Sequence, residues 1–508
     1  MPLKIALISL YVIENNGVRM LAAMLRQAGF TVHEIYFKDY RHHRFDPPTE
    51  LEIQRLTGLL RDLDVGLVGF SVRAGAYLTL AKMLTERVRQ AVDAPIIWGG
   101  PHVSFAPDDC IGSVDYISVG ESEDAMVDLA RALESGEPTD NIANIWTHRD
   151  GEIIRNDVRP LEQNLDRYPF RDYHSHEFKF WIDGKRLRRG DPMINETIYL
   201  TLSTRGCLFN CSFCDVNVLK KLYRGKGQFF RVRSVGNIIE ELRYARKHFK
   251  HLARVRVDDE LFPVDKTWIR EFAAAYKAEF DWPFEILSDP RVINDEDIAL
   301  LADAGLTHVL LGIQGAQDLN RDLYGRPCTD DKVIEVSKIL QRHKVRGGFQ
   351  IILDNPVVSE NDRRALLELL LALARPFDLY TFSLSYWPGA DLTDRFLEEG
   401  VIGEDDVEGK SDKVLRQFRV DSSFPRPPED RLWIALYHLT SKSVVPRGLI
   451  RRMSQSAWLM KNPWPAEWLS NLINFGKLGW LAFKMLIHGE LSWNMVKRWL
   501  NFSSPASI

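Results

Sequence analysis

The chain has 508 residues and a mass of 58.5 kDa, enough for at least two hydrophobic cores. A composition of 45% hydrophobic and 27% charged residues excludes a disordered or fibrous protein. With 66 Lys and Arg against 70 Asp and Glu, the net charge of -4 offers no global field for nucleic acid, and none is expected as a partner.

The N-terminal run MPLKIALISLYVIENNG is broken by Glu14 and Asn15 with no small-residue cleavage site after it, so it reads as a first strand over 3–10, not a signal peptide. No apolar run reaches the roughly 20 residues of a spanning helix, and Cys110 and Cys328 stand alone, unlike a secreted disulfide framework. The expected location is the cytoplasm, with the cytoplasmic face of a membrane as the alternative. Helical spacing over 18–28 ends at Gly29, and an alternating strand follows at 30–37. A helix at 50–62, a strand at 65–71, a helix at 75–91, strands at 94–100 and 115–120, and a helix from Glu121 complete the pattern. Alternating strands and helices predict an α/β, doubly wound parallel sheet over residues 1–140.

Ligands of such sheets bind beyond the carboxyl ends of the strands. Polar residues and glycines collect there: Asn15, Asn16 and Gly17; Ser71, Val72 and Arg73; Gly99, Gly100, Pro101 and His102; Gly120, Glu121, Ser122 and Glu123. Each glycine taken singly is equally a turn former, and no GxGxxG follows the first strand. Taken in order, NNGVRMLAAMLRQAGFTVHEI, DVGLVGFSVRAGAY, PIIWGGPHVSFAPDDC and DYISVGESEDAMVDL resemble the Rossmann-like cobalamin-binding domain of cobalamin-dependent radical S-adenosylmethionine enzymes. The resemblance implies cobalamin contacts from Asn16, Gly17, Ser71, Val72, Arg73, Gly99, Gly100, His102, Gly120 and Glu121. No DxHxxG loop is present, so it also implies cobalt without a histidine from that loop, His102 shaping its turn or touching the cofactor's edge. His42 and His43, in a polar run, read as solvated.

Residues 141–195, rich in Asp, Arg and Pro, read as a linker or interface segment. Next comes STRGCLFNCSFCDVN, which places Cys207, Cys211 and Cys214 within eight positions of a chain that holds only five cysteines. Three such cysteines could serve a zinc site, a redox pair with a bystander, or a small apolar cluster. Zinc fits poorly, because structural zinc takes four protein ligands and no fourth is well placed. Three thiolates on a [4Fe–4S] cluster leave one iron open to a chelating molecule. The CxxxCxxC spacing after the strand of ETIYLTLSTRGCLFNCSFCD resembles the signature of the radical S-adenosylmethionine superfamily. There the open iron holds S-adenosyl-L-methionine, and the cofactor's reduction yields a 5'-deoxyadenosyl radical.

From 196 to 400 strands and helices cycle as a partial (β/α) barrel, the central domain that this resemblance implies. ARVRVDDELF offers Asp258 and Asp259 for the substrate or the methionine amino group, with Glu260 a lesser candidate and helix capping the alternative. FEILSDPRVI supplies Arg291 for the cofactor carboxylate, THVLLGIQGAQ places Gln314 at a strand mouth, and GGFQIILDNPVVS places Asp354 in a turn. LYTFSLSYWPGADL resembles the last barrel strand and brings Tyr386 as a catalytic candidate. Residues 401–508 read as a helical C-terminal domain or cap, with a polar, solvated stretch at 403–413 and an amphipathic helix after Pro428. Over 463–500, Trp, Phe and Leu interspersed with Lys and Arg suit a cap over the barrel or an interfacial helix in peripheral contact with a membrane.

The resemblance implies a methyltransferase that moves a methyl group from methylcobalamin to an unactivated carbon of a small, apolar or lipid-like substrate. An external reductant such as flavodoxin or ferredoxin would supply electrons. Two alternatives stay open: a cyclase or rearrangement enzyme without methyl transfer, and a non-catalytic cobalamin-binding or sensory protein.

Overall fold

Apolar runs such as IALISL and VGLVGF make strands that bury both faces, and the centre of the first sheet is built from them. The computed structural model describes residues 3–39, 46–410 and 426–474. His42, His43 and the 475–500 part of the expected interfacial stretch lie outside the described residues. The chain divides into two compact units, Met1–Arg254 with Ser385–Leu415, and Val255–Leu384 with Arg416–Ile508.

In the first unit, β1 (Lys4–Leu10), β2 (Thr31–Phe37), β3 (Leu67–Ser71), β4 (Ile96–Gly99) and β5 (Tyr116–Ser118) run parallel in the order 2-1-3-4-5. Period two along β1 decides which side each residue serves. Ala6, Ile8 and Leu10 pack with Leu56 and Leu84 of helices Glu50–Leu63 and Leu78–Arg89. Ile5 and Leu7 pack with Leu25 and Leu129 of helices Asn16–Gln27 and Glu123–Ser135. Because β2 and β3 flank β1 on opposite sides, the chain direction switches at the carboxyl end of β1, the place where such sheets open a crevice.

The stretch 141–195, read as a linker or interface segment, is built into the first sheet. It supplies β6 (Ile145–Arg149) and β7 (Glu152–Arg155) beyond β5, and β8 (Lys179–Asp183) and β9 (Arg186–Arg189) beyond β2, giving a sheet of nine strands. β8 runs parallel to β2, with Ile35 opposite Phe180. Every residue of β9 is exposed, so that strand carries no apolar alternation. The same unit continues through β10 (Ile198–Thr201), the two-stranded ribbon β11 (Thr204–Arg205) with β12 (Arg231–Val232), and helices Asp215–Leu222 and Val235–His248.

The second unit is a run of parallel strands in sequential order: β13 (Arg254–Val257), β14 (Phe284–Ser288), β15 (Leu306–Gln314), β16 (Arg346–Leu353) and β17 (Asp378–Ser383). Intervening helices start where side-chain caps dictate: Asp265, Asn294, Thr329 and Ser359 each accept a hydrogen bond from the backbone N–H three residues on. Helix Pro428–Thr440 packs on helix Glu360–Ala372, where Tyr437 Oη donates to the Arg363 carbonyl at 3.1 Å. Arg447, opening helix Arg447–Ser454, donates to the Leu373 carbonyl at 3.0 Å.

The solvated reading of 403–413 holds only in part. Gly403, Glu404 and Asp405 are exposed, Val407 and Glu408 are buried, and 411–413 lie outside the described residues. Glu408 lies against Gly75, where an added Cβ would come within 2.6 Å of the Glu408 side chain.

Candidate functional site

In the first unit the predicted loops gather at the carboxyl ends of β1, β3, β4 and β5. Asn15 caps helix Asn16–Gln27 by accepting from the Val18 N–H, and its amide donates to Ser9 Oγ at 2.9 Å and Ser71 Oγ at 3.0 Å. One side chain thus ties the first loop to the end of β3. Asn16 turns elsewhere: its side-chain oxygen accepts from Arg171, which also donates to the Leu200 carbonyl at 2.7 Å and to Glu241 at 2.6 Å. Gly17 is uncrowded, with Asn15 Oδ1 at 3.5 Å from an added Cβ. Gly100 has φ +110° and passes so close to β3 that a Cβ would sit 2.8 Å from the Val72 carbonyl oxygen. Gly99 and Ser71 are half-buried, and Arg73 is exposed.

His102 is fully buried, and neither ring nitrogen has a hydrogen-bond partner among the described residues. Burial lowers its pKa to about 4, so the ring is neutral at pH 7. A buried imidazole without partners is a cost unless something accepts or donates there.

The fourth loop is knitted to the cysteine segment. Gly120 has φ +80°, and a Cβ there would collide with Tyr223 Oη, to which the Glu121 N–H donates at 2.5 Å. The Glu121 carboxylate pairs with Arg205 at 3.2 Å and with Arg231, and Glu123 pairs with Arg205 at 2.5 Å. Burial would raise the Glu121 carboxyl, but Arg205 and Arg231 hold it below the usual range. Its side chain is therefore occupied by arginines, and what it can offer a cofactor is backbone. Sequence reasoning passed over Arg205, Arg231 and Tyr223. Arg205 stood in plain view two residues before the first cysteine, but its partners are about 80 residues upstream.

The cysteine loop starts at Gly206, whose φ of +85° and approach to the Phe229 carbonyl leave no room for a Cβ. Cys207 Sγ accepts from the Phe209 N–H at 3.5 Å, and the Cys214 N–H donates to the Cys211 carbonyl at 3.1 Å in the turn before helix Asp215–Leu222. Burial, with Asp215 beside it and Cys211 and Cys207 within electrostatic reach, pushes the Cys214 thiol well up. Asp215 is itself raised by burial, and Arg73 of the second loop acts on it in the opposite sense. Leu208 in this loop is 45% exposed. Among the described residues no three His, Cys, Asp or Glu close on a single ion. A cubane differs from such a site, since each thiolate takes a different iron and the ligands spread around the cluster. Beside the loop lies a cavity of about 500 Å³, lined by Asn210, Asn217, Lys220, Lys221, Arg224 and Asp391.

Also in this unit, Tyr386 is buried against Phe396, ring centroids 6.2 Å apart, and its carbonyl accepts from the Glu408 N–H at 2.9 Å. Burial raises the Glu408 carboxyl to about 7, although the Ala76 and Gly75 amides favour its ionised form.

In the second unit the predicted residues sit at strand ends. Asp258 pairs with Arg256 at 2.7 Å, and Asp259 is buried. Arg291 donates from Nε and Nη2 to Asp289, both at 2.8 Å, and Asp289 also receives Arg326 at 2.9 Å. Gln314 ends β15 and Asp354 directly follows the adjacent β16, with φ of +59° and +56°. Non-glycine residues hold such values only where their surroundings impose them. For Asp354 the restraint is visible: Arg426 donates twice to its carboxylate at 2.8 Å, and Ser383 Oγ donates at 2.5 Å. Burial would raise that carboxyl, but Arg426 and Ser383 hold it below the usual range. Arg426 was not anticipated, since nothing local in FPRPPED marks it as a partner of a turn 72 residues away.

Three cysteines thus sit on a loop framed by a glycine and a helix start, bonded to the fourth loop of a 2-1-3-4-5 sheet. Residues 201–370 match the model of the Radical SAM superfamily, and residues 4–130 that of the B12 binding domain. The chain belongs to the cobalamin-binding branch of the radical S-adenosylmethionine enzymes. It uses a [4Fe–4S] cluster, S-adenosyl-L-methionine and cobalamin, acts on a small molecule and needs a reductant. Among curated relatives, an uncharacterised methyltransferase, PH0819 of Pyrococcus horikoshii, is 23% identical over 386 residues, which is 74% of this chain and 77% of the relative. The anaerobic magnesium-protoporphyrin IX monomethyl ester cyclase of Rubrivivax gelatinosus is 24% identical, over 74% of this chain and 65% of the relative. The solved methyltransferase TsrM from Kitasatospora setae, with cobalamin and a [4Fe–4S] cluster bound, superposes with a TM-score of 0.63 at 17% identity, covering 78% of each chain.

Proposed function

We propose that the protein is a methyltransferase acting at an unactivated carbon of a small-molecule substrate. The observation that carries this reading is the bonding of the Gly120–Glu123 loop to the cysteine segment through Arg205, Arg231 and Tyr223, which fixes two cofactor loops in one frame. Cys207, Cys211 and Cys214 would hold the cluster as thiolates, their protons released to solvent on binding iron. Asn16, Gly17, Ser71, Val72, Arg73, Gly99, Gly100, His102, Gly120 and Glu121 would line the cobalamin. The buried ring of His102, without a hydrogen-bond partner among the described residues, would suit a ligand that brings a polar group to it. When bound, the cluster with S-adenosyl-L-methionine supplies a radical that abstracts hydrogen, and cobalamin supplies the methyl group.

The remaining work falls to the chain: hold the substrate carbon in line, exclude water and keep charges fixed. Asp258, Asp259, Arg291, Gln314 and Asp354 would orient S-adenosyl-L-methionine and substrate, and Tyr386 would act on the substrate. The Asp289–Arg291 and Asp354–Arg426 pairs preset the two guanidinium groups before any ligand arrives. Lys220, Lys221 and Arg224 around the cavity suit an acidic electron carrier such as flavodoxin or ferredoxin.

A second reading, oxidative cyclisation without methyl transfer, is favoured by the likeness to the Rubrivivax cyclase. The test is anaerobic reconstitution with iron, sulfide and hydroxocobalamin, then desalting and metal analysis. Incubation of a host extract with S-adenosyl-L-methionine carrying a deuterated methyl group follows. Cobalt near one per chain and a deuterated product support methyl transfer. Cobalt with 5'-deoxyadenosine but an unlabelled, oxidised product supports cyclisation. Negligible cobalt beside a filled cluster overturns both.

A further inference from the structure

The second unit carries an apolar surface that the chemistry above does not use. Of the fourteen large hydrophobic side chains exposed among the described residues, six fall within 444–472. Trp458, Trp464 and Trp468 are 57%, 60% and 61% exposed. A folded protein ordinarily removes most of a Trp side chain from water. In the helix over 464–474, Trp464, Trp468 and Leu472 are spaced by four and share one face, while Ala466 and Ser470 are buried on another.

The charge around this face is one-sided. From 442 to 474 there are five basic residues, Lys442, Arg447, Arg451, Arg452 and Lys461, and a single acid, Glu467. Glu467 is itself neutralised by a two-pronged pair with Arg431 at 2.8 and 2.7 Å, as Arg451 is by Glu368 at 2.6 Å. Arg452 and Lys461 are exposed. Among the described residues no helix is long and apolar enough to cross a bilayer. Tryptophans on one helix face with basic residues around them suit a helix lying in the plane of a membrane interface.

We infer that the Trp458–Trp464–Trp468–Leu472 face docks on an anionic membrane surface. Charge complementarity selects that occupant. The sequence beyond 474 adds Trp480, Trp493 and Trp499 with Lys477, Lys484, Lys497 and Arg498 against one acid, Glu490. A segment of like charge is a poor electrostatic cover for a basic face, but it extends the same membrane-seeking chemistry.

The test uses the full chain without cofactors, so it reads independently of turnover. Protein is sedimented with phosphatidylcholine vesicles, with or without phosphatidylglycerol, at low and high salt. The expected result is binding to the anionic vesicles with a blue-shifted Trp emission, weakened by salt. The double variant W464S/W468S should bind about tenfold more weakly, and R452Q/K461Q should lose the preference for anionic lipid. Circular dichroism monitors folding; should W464S/W468S unfold, W458S on the separate helix Ala457–Lys461 and quenching by brominated lipid take its place. Absence of vesicle binding overturns the inference, as does wild-type binding by the Trp variants. It also fails if W480S/W493S/W499S alone abolishes binding, or if the face instead mediates self-association in the absence of lipid.

Discussion

The two sets of candidate residues are held in different ways. In the first unit, the loops are fixed by partners far away in sequence: Arg171 joins Asn16, Leu200 and Glu241, and Arg205 joins Glu121 and Glu123. In the second unit, Asp258 and Arg291 are held by neighbours two positions away, Arg256 and Asp289. Asp354 reaches further, to Arg426, and Asp289 is shared with Arg326. Long-range buried networks make a rigid frame whose parts fail together, whereas local pairs preset single side chains. A frame suits two cofactor loops that must keep their spacing, and local pairs suit residues that exchange partners as ligands arrive.

The largest expected effect is on the cysteine loop itself. Cys211→Ala should reduce bound iron to background and abolish 5'-deoxyadenosine formation, read by metal analysis and chromatography. A variant that keeps both would break the assignment of this loop to the cluster.

Next is the frame. Glu241 is buried among Arg171, Arg233, Tyr199 and Thr201. Burial would raise its carboxyl, but Arg233 and Arg171 hold it far below the usual range. Its contribution to stability is therefore full above the unfolded pKa and fades as pH falls through the folded one. Glu241→Gln strands two guanidinium groups and should cost about 3 kcal/mol in denaturant unfolding at pH 7. It should also weaken cobalamin binding, because Arg171 is what holds Asn16; unchanged affinity would separate that loop from the frame.

Glu408 has the opposite sign. Its folded pKa of about 7 lies above its ordinary value of 4.5, so the folded protein holds a proton that the unfolded chain releases between those values. Stability declines as pH rises across that window and stays low above it. Glu408→Gln, which does not ionise, should gain about 2 kcal/mol over the wild type at pH 8 and little at pH 4.5. Thermal melts across pH check this, and parallel wild-type and variant curves would sink it.

The smallest effect sharpens the contrast with surface pairing. Arg451 and Glu368 pair at 2.6 Å with about half of each side chain exposed. Arg451→Ala should change unfolding free energy by about 0.5 kcal/mol or less.

Much of this was legible beforehand. The strands β1 to β5 follow from apolar runs, and the helix starts of the second unit from Asp265, Asn294, Thr329 and Ser359, because strand burial and capping are local effects. The CxxxCxxC spacing is likewise local. β8 and β9 escaped notice because KFWID and RLRR carry little periodicity; pairing with β2 makes them strands. The burial of Glu408 in an acidic stretch was hidden for a related reason: its neighbours, Gly75 and Ala76, are some 330 residues upstream.

The sequence by itself determined β1 to β5 with their helices, the cysteine triad and the glycines at the strand ends, since each depends on residues within one turn or one strand. Only the tertiary structure decided that Glu121 is spent on arginines, that His102 is buried without a hydrogen-bond partner among the described residues, and that Arg426 clamps Asp354. Charge pairing and burial depend on distance in space, and spacing along the chain does not encode that distance.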